Sequence, residues 1–393
     1  MSHPITIDDF KKITGDFQGS SNWKPPVLFA VGRHVATKNG ILASVRYPVV
    51  NGPCQNLGSS AVLMKALNIV PEGVQNVTLS GAMLDDILRY FSPFLNDGKK
   101  HANIEVLQAA KKASFDDGFN DGTFVATFIF EDLAPQGVPD STLKLYALSN
   151  RLFKPNQLNL TKIFTKLPNV AWIGDTPMDA DEIEQSLMSA AFDGMQYAPH
   201  MVDKFPLYIH RINALKMGVR ITDHHKVRLG AYLGEGTTLM PGASYVNFNA
   251  GTEGPSIVEG RISSSAFVGA GSDIGGGASI LGTLSGGNSV PISVGRNCLL
   301  EVNSALGIPI GDCVIIAAET AVMVGSRVQV NIEGHVLQGA WTKASELAGI
   351  NAVTFRRNDM TGLLEVVRTQ RNIDFAKKLE GGEDILNADL HKN

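Results

Sequence analysis

Residues 261–280 read RISSSAFVGAGSDIGGGASI, and in them Ile262, Val268, Ile274 and Ile280 recur every six positions. The same step runs on in both directions. Upstream it takes in Val227, Leu233 and Leu239. Downstream it takes in Val294, Leu300 and Leu306, then Ile310, Ile316, Val322 and Val328. A helix repeats at about 3.6 residues and a strand at about 2, so neither accounts for a step of six. A parallel β-helix does. Each hexad is one short strand and one corner, three hexads close a triangular rung, and the aliphatic points inward. Small residues stand beside many of these aliphatics, at Gly234, Gly269, Gly275, Gly295 and Gly311, where a Cβ would crowd the turn. The clock breaks between Leu239 and Ile262, which predicts a loop ejected from the regular coil.

Outward from the coil, the chain of 393 residues has room for two or three domains. The pattern divides it into an α/β domain over 1–110, a second α/β segment over 111–225, the coil over 226–330 and an extension over 331–393. LFAVG (28–32) and ILASVRYPVV (41–50) read as strands around a Lys38-Asn39-Gly40 turn. Ser59–Ile69 and Leu79–Leu95 carry apolar stripes at helical spacing. TFVATFIF (123–130) and LKLYALS (143–149) read as strands joined by the Pro/Gly connection DLAPQGVPD. Helical patterns follow near Leu160–Thr165 and Asp179–Phe192. Beyond the coil the pattern gives a helix over Thr342–Leu347, a strand-turn-strand over Val353–Val367, and a polar, loose tail.

Hydrophobic content of 44% and charged content of 18% are those of an ordinary soluble globular protein, which makes a packed core the expectation. A formal net charge of -4 argues against bulk nucleic-acid binding, though it leaves room for a local basic pocket. Cys54, Cys298 and Cys313 form no ligand spacing and leave one cysteine over, which suits a reducing cytoplasm. The N-terminus lacks the apolar core of a signal peptide, and no apolar run is long enough to span a membrane.

The chemistry narrows by elimination. None of the 9 histidines falls between residues 226 and 334, so neither an imidazole base nor a three-histidine zinc site can come from within the coil. His224 and His225, just before the first rung, read as a solvated lead-in. The reactive group of the coil is then a carboxylate. Glu235, Glu253, Glu259, Asp273, Glu301, Asp312, Glu319 and Glu333 are available, and most read as solvated corner positions. Glu259 stands apart, because it lies where the clock is interrupted, between Val258 and Gly260, with Arg261 two residues on. A carboxylate shielded by aliphatics can exchange a proton near neutral pH, or attack a thioester directly.

The runs VRLGAYLGEGTTLMPGASYVNFNAGTEGP, VEGRIS, GSDIGGGASILGTLSGG and CLLEVNSALGIPIGD closely resemble the longer form of the tetrahydrodipicolinate N-succinyltransferase family. The likeness is dense over 227–330. It extends through FEDLAPQGVPD and LNLTKIFTKLPNVAW upstream, and through KASELAG and FRRNDMTG downstream. It implies a left-handed parallel β-helix, trimers with active sites between subunits, and transfer of a succinyl group from succinyl-CoA to the amine of L-2-amino-6-oxopimelate. It makes Glu259 the catalytic carboxylate, as acyl carrier or as base, and Arg261 a ligand-binding arginine. It aligns Gly276, Ser279, Val302, Ala317, Ala318 and Gly325 with the acyl-CoA site, and Lys343, Arg356, Arg357, Asn358 and Asp359 with the C-terminal part of that site. Some members hold magnesium on acidic residues where this chain has Lys226 and Ala243, so no such metal is expected. Glu301-Val302 stands where Gly-Ala is usual, and Ala317-Ala318-Glu319 where Glu-Ala-Gly is usual. An acetyl-CoA-dependent N-acyltransferase and a non-catalytic hexapeptide scaffold are the alternatives.

Overall fold

The computed structural model describes residues 5–114, 123–194, 199–283 and 290–387. The close of the GTLSGG run and the last residues of the tail lie outside them. The chain divides into two compact units, Met1–Ala147 with Leu158–Pro206, and Leu148–Gln157 with Leu207–Asn393. Among the described residues no helix is long and apolar enough to cross a membrane.

In the first unit, β1 (Leu28–Ala36), β2 (Leu42–Arg46), β3 (Val74–Leu79) and β4 (Phe124–Ile129) form an antiparallel sheet in the order β2-β1-β4-β3. The predicted hairpin is present, with Gly40 at φ 89° closing its turn. Helices α1 (Ile7–Gln18), α2 (Leu57–Ala66), α3 (Gly81–Tyr90) and α4 (Ala102–Ala113) belong to the same unit. Phe29, Leu63, Leu84, Ile87, Leu107 and Phe128 share one buried cluster. Every residue of β4 is buried, which is why its sequence is a continuous apolar run rather than an alternation.

The segment 143–149 is not a strand but part of helix α5 (Val138–Ser149). Its residues 143–148 are at most 1% exposed, so burial on every side hides the helical period. Asp140 starts the helix by accepting from the Gln136 and Gly137 amides at 2.7 and 2.9 Å. Buried Lys144 is held by Asp132 at 2.6 Å and by the Leu133 and Asn159 carbonyls. The pattern near Leu160–Thr165 gives only the single turn α6 (Ile163–Lys166). Helix α7 (Ala180–Asp193) follows its predicted span and starts with an Asp179/Glu182 capping box. A three-stranded sheet of β5 (Val170–Ile173), β6 (Thr176–Met178) and β7 (Met201–Asp203) completes the unit.

In the second unit the six-residue clock becomes a coil of parallel strands. Strands of two or three residues pass in rotation through three sheets, each pairing in parallel with the strand one rung on. Thr237 lies opposite Ser256, and Ser256 opposite Ser272; Arg261 lies opposite Ser279, and Ser279 opposite Ala305. The clock residues Leu233, Leu239, Ile262, Val268, Ile274, Ile280, Leu300, Leu306, Ile316, Val322 and Val328 are all 0% exposed and form the interior. Each contributes on the order of 1.5–3 kcal/mol by leaving water.

The break between Leu239 and Ile262 is not an ejected loop. Strands Tyr245–Val246, Gly251–Thr252 and Ser256–Val258 continue all three walls there, with Val246, Thr252 and Val258 pointing inward. The clock misses them because one corner is a residue long, another is short, and a threonine replaces an aliphatic. The buried Thr252 hydroxyl lies 2.6 Å from that of Thr237, which in turn donates to the Gly254 carbonyl at 3.0 Å.

The exit from the coil also departs from expectation. Over 342–347 a strand, Trp341–Lys343, pairs antiparallel with Arg327–Asn331, and only a short 3-10 turn, Ala344–Leu347, follows. The strand-turn-strand is as predicted: Thr354–Arg357 joins the wall beside Ile315–Ile316 and turns back into Leu364–Val367. Within the described residues the tail holds a helix where a loose segment was expected. Helix α8 (Gln370–Glu380) opens with a Thr369/Asn372 capping box. The Asn372 amide also donates to the Cys313 carbonyl at 3.1 Å, which ties the helix to the coil.

Candidate active site

Glu259 follows the strand Ser256–Val258, at the corner between two walls of the coil. Its amide donates to the Ile274 carbonyl at 2.7 Å, and the same ladder repeats one rung at a time. Gly275 donates to Leu300, Glu301 to Ile316, and Ala317 to Phe355. Glu259, Gly275, Glu301 and Ala317 therefore stack in one column parallel to the coil axis, and Gly276, Val302 and Ala318 follow them around the corner. A Cβ on Gly276 would lie 3.5 Å from Glu259 Oε2, so the carboxylate sits over that glycine. Gly260 has no room for a side chain, because its Cβ would be 2.3 Å from the Ala278 carbonyl oxygen.

Around the corner, Arg261, Ser279, Ala305 and Ala321 form a second column in register on the next wall. Arg261 is exposed and its Nε donates to Ser279 Oγ at 2.9 Å, which aims the guanidinium along this wall. Ala321 lies at the rim of an open groove of about 600 Å³ lined by Ser326, Arg327, Trp341, Arg357 and Leu363. Sequence-predicted residues thus fall into two columns, Glu259, Gly276, Val302, Ala317 and Ala318 beside Arg261 and Ser279, with Arg357 in the groove.

The remaining predictions fare differently. Arg356 Nε is held by the buried Glu365 at 2.9 Å, and Asn358 Nδ2 donates to the same carboxylate at 3.3 Å. Burial pushes the Glu365 carboxyl up, but these two contacts and a third from Asn331 Nδ2 together hold it below its ordinary range. Arg356 and Asn358 therefore build the hairpin. Asp359 is exposed in the turn between the hairpin strands, Lys343 is exposed on the strand beside Arg327, and Gly325 is exposed in the turn next to Ser326.

Two further carboxylates stand at the column, neither of them given a role by the sequence. Asp273 lies one strand from Glu259, opposite Ile257. Burial first, and the Glu259 charge second, push its carboxyl up to about 6, while Arg371 pulls the other way. Glu301, one of the departures noted above, uses Oε2 to accept from the Ala318 amide at 3.1 Å and Oε1 to hold Arg371 of α8 at 2.8 Å. Of the other acids, Glu253 is neutralised by Lys154 at 2.9 Å and Arg296 at 3.3 Å, which hold its carboxyl below the ordinary range. Before the first rung, Asp223, His224 and His225 each present one ligand atom within 4.8 Å of the others. Asp223 also caps the His225 amide at 3.0 Å.

A coil of parallel strands with a carboxylate set over a glycine corner, an arginine on the adjoining wall and no histidine between residues 226 and 334 has the groups that acyl transfer by a carboxylate would need. Comparison with known proteins makes this specific. The family Tetrahydrodipicolinate N-succinyltransferase N-terminal matches residues 8–165, and Tetrahydrodipicolinate N-succinyltransferase middle matches residues 167–206. A 2,3,4,5-tetrahydropyridine-2,6-dicarboxylate N-succinyltransferase from Nitratiruptor sp. is 38% identical over 95% of this chain and 99% of its own length. One of the same name from Sulfurimonas denitrificans is 40% identical over 98% and 99%. A Campylobacter jejuni crystal structure described as a 2,3,4,5-tetrahydropyridine-2-carboxylate N-succinyltransferase superposes with a TM-score of 0.86 at 36% identity, covering 94% of this chain and 100% of that one. The chain belongs to the tetrahydrodipicolinate N-succinyltransferase family.

Proposed function

We propose that this enzyme transfers the succinyl group of succinyl-CoA to the amine of tetrahydrodipicolinate in its opened form, L-2-amino-6-oxopimelate, on the route to diaminopimelate and lysine, with Glu259 as the catalytic carboxylate. The observation that carries this assignment is the seating of the Glu259 carboxylate over Gly276, in the column that also holds Val302, Ala317 and Ala318. Acyl-CoA runs along that column, with its thioester at Glu259 and its phosphates toward Arg327 and Arg357 in the groove. Arg261, steadied by Ser279, takes a carboxylate of the succinyl group or of the acceptor.

The chemistry needs an unprotonated amine and a place for negative charge on the thioester oxygen. Glu259 removes a proton from the acceptor ammonium, and the amine nitrogen attacks the thioester carbon. The carbon–sulfur bond breaks, the CoA thiolate leaves and takes the second proton from the nitrogen as the amide forms, and Glu259 returns the first proton to solvent. In the alternative order Glu259 attacks first, forms a succinyl anhydride with release of CoA thiolate, and the amine then opens it. The Gly275 amide is already spent on the Leu300 carbonyl, so this reading gives the developing oxyanion to the Gly276 and Gly277 amides in either case. The same reading makes the coil left-handed, places the enzyme in the cytoplasm, and sets the site between subunits of a homotrimer. Residues 226–330 are then the acyltransferase part, and 331–393 its extension.

Glu259→Gln keeps the shape of the side chain and removes its basicity. Turnover falls by about 100-fold or more, with little change in KM for succinyl-CoA. Unchanged turnover would return the coil to the role of a scaffold. A side-by-side assay with acetyl-CoA gives a clear preference for the succinyl donor, and the opposite preference would favour the acetyltransferase alternative.

A further inference from the structure

We infer that Asp273 is a specificity-determining residue for the acceptor: its carboxylate and that of Glu259 take the substrate ammonium between them before acyl transfer. The inference deepens the reading above and rests on its placement of the thioester at Glu259.

Asp273 is the middle residue of the strand Ser272–Ile274, and Ser272 and Ile274 are both 0% exposed. Alternation along the strand therefore turns Asp273 out of the coil. Register puts Val258 opposite Ile274, so Glu259 follows one residue later and Asp273 stands diagonally to it on the next rung. Side chains so related come within reach of each other when one is long. The Glu259 carboxylate leans onto that same rung, where it lies over Gly276, three residues on from Asp273. After burial, the Glu259 charge is the next influence on the Asp273 proton, which places the two carboxyls close together.

The wall gives Asp273 no hydrogen-bonded partner of its own. It stands between Ile257 and Leu299 on the adjoining rungs, and Ile257 is buried. Among the described residues none hydrogen-bonds to its carboxylate. Arg371 of α8 acts on it from a distance, but that guanidinium is held by Glu301 at 2.8 Å and lies 5.5 Å over the Phe375 ring. A half-buried carboxylate set among aliphatics costs stability. Functional sites carry that kind of cost. With its carboxyl pushed up to about 6, Asp273 is still ionised at neutral pH.

An ammonium supplies what this pair lacks. Two neighbouring carboxylates repel, and an ammonium offers each of them a charged N–H donor. The acceptor of this reaction carries its ammonium next to its own carboxylate, and succinyl-CoA offers no ammonium at all. Asp273 lies on the wall before the corner and Arg261 on the wall after it, with Glu259 between them. That order of two acids and a guanidinium matches an amino acid laid across the corner, nitrogen toward the acids and carboxylate toward Arg261. When Glu259 takes one proton, Asp273 keeps hold of a second N–H and so positions the nitrogen for attack on the thioester carbon.

Steady-state kinetics of full-length Asp273→Asn with both substrates tests the inference. KM for the acceptor amine rises about 10-fold or more, as loss of a charged hydrogen bond requires, while KM for succinyl-CoA stays near that of the parent. Pimelate, which has two carboxylates and no ammonium, inhibits the variant at least as strongly as the parent, because one repelling charge is gone. A disturbed fold would weaken both ligands together, and circular dichroism checks it independently. An unchanged acceptor KM, an equal rise in both KM values, or pimelate inhibition weakened in step with the acceptor would each overturn the assignment. The Glu259→Gln assay separates this inference from the reading beneath it. If that variant loses turnover while Asp273→Asn leaves the acceptor KM unchanged, only the role of Asp273 falls. If Glu259→Gln keeps full turnover, the catalytic assignment itself falls.

Discussion

Burial and the Glu259 charge together keep the Asp273 carboxyl protonated up to about pH 6, well above its ordinary value of 3.8. The folded protein then binds this proton more tightly than the unfolded chain. The resulting stability is present in full below the ordinary carboxylate range and is lost as pH rises through about 6. Asp273→Asn cannot ionise and escapes that loss. Its melting temperature relative to the parent therefore rises between about pH 4 and pH 7 and then levels off; a difference constant with pH contradicts the pairing. Glu259 could be singled out in the sequence because a family motif brackets it with Val258, Gly260 and Arg261. Asp273 was not, because its neighbour lies a full rung away in sequence and only strand register brings the two carboxyls together. The run at 356–358 divides: Arg357 lines the groove, while Arg356 and Asn358 also hold the buried Glu365, whose position in the hairpin no local pattern reveals.

At the scale of elements, the coil was readable because each rung repeats the same inward aliphatic. It failed to read through where Thr252 substitutes and corner lengths change, since a clock counts residues and the structure counts rungs. Helix α5 was misread because uniform burial erases periodicity. Helix α8 was missed because its surface is polar and its capping box uses Asn372 in place of the usual acidic or glutamine partner. That box makes a prediction. Thr369→Ala removes the cap and costs about 1 kcal/mol in denaturant unfolding. Hydrogen exchange in 370–380 accelerates while the amides of the rungs around Ile274 and Leu300 stay protected; equal acceleration in both places would mean that α8 and the coil open as one. Gly260→Ala acts on the coil itself, because the clash with the Ala278 backbone has no flexible side chain to relieve it. We expect loss of stability together with loss of turnover, read by thermal melting and succinyl-CoA assay, and a fully stable, active variant would show that this corner tolerates a wider approach.

At the scale of the whole molecule, the proposed reading sets the site between subunits of a homotrimer. Sedimentation equilibrium should then give three times the 42.1 kDa chain mass, and a monomer with full activity would remove the shared-site part of the reading. Family membership was legible from the coil motifs, while the antiparallel sheet of the N-terminal unit was legible only in part, because β1, β3 and β4 come from distant segments that local pattern does not order. The central claim concerns the chemistry at the coil corner, and the most direct measurement is a crystal structure of the enzyme with a non-hydrolysable succinyl-CoA analogue. The account predicts the carbon that replaces the thioester carbonyl within about 3–3.5 Å of a Glu259 carboxylate oxygen, and the pantetheine arm along Gly276, Val302 and Ala318. An acyl group bound elsewhere on the coil, out of reach of Glu259, would contradict it.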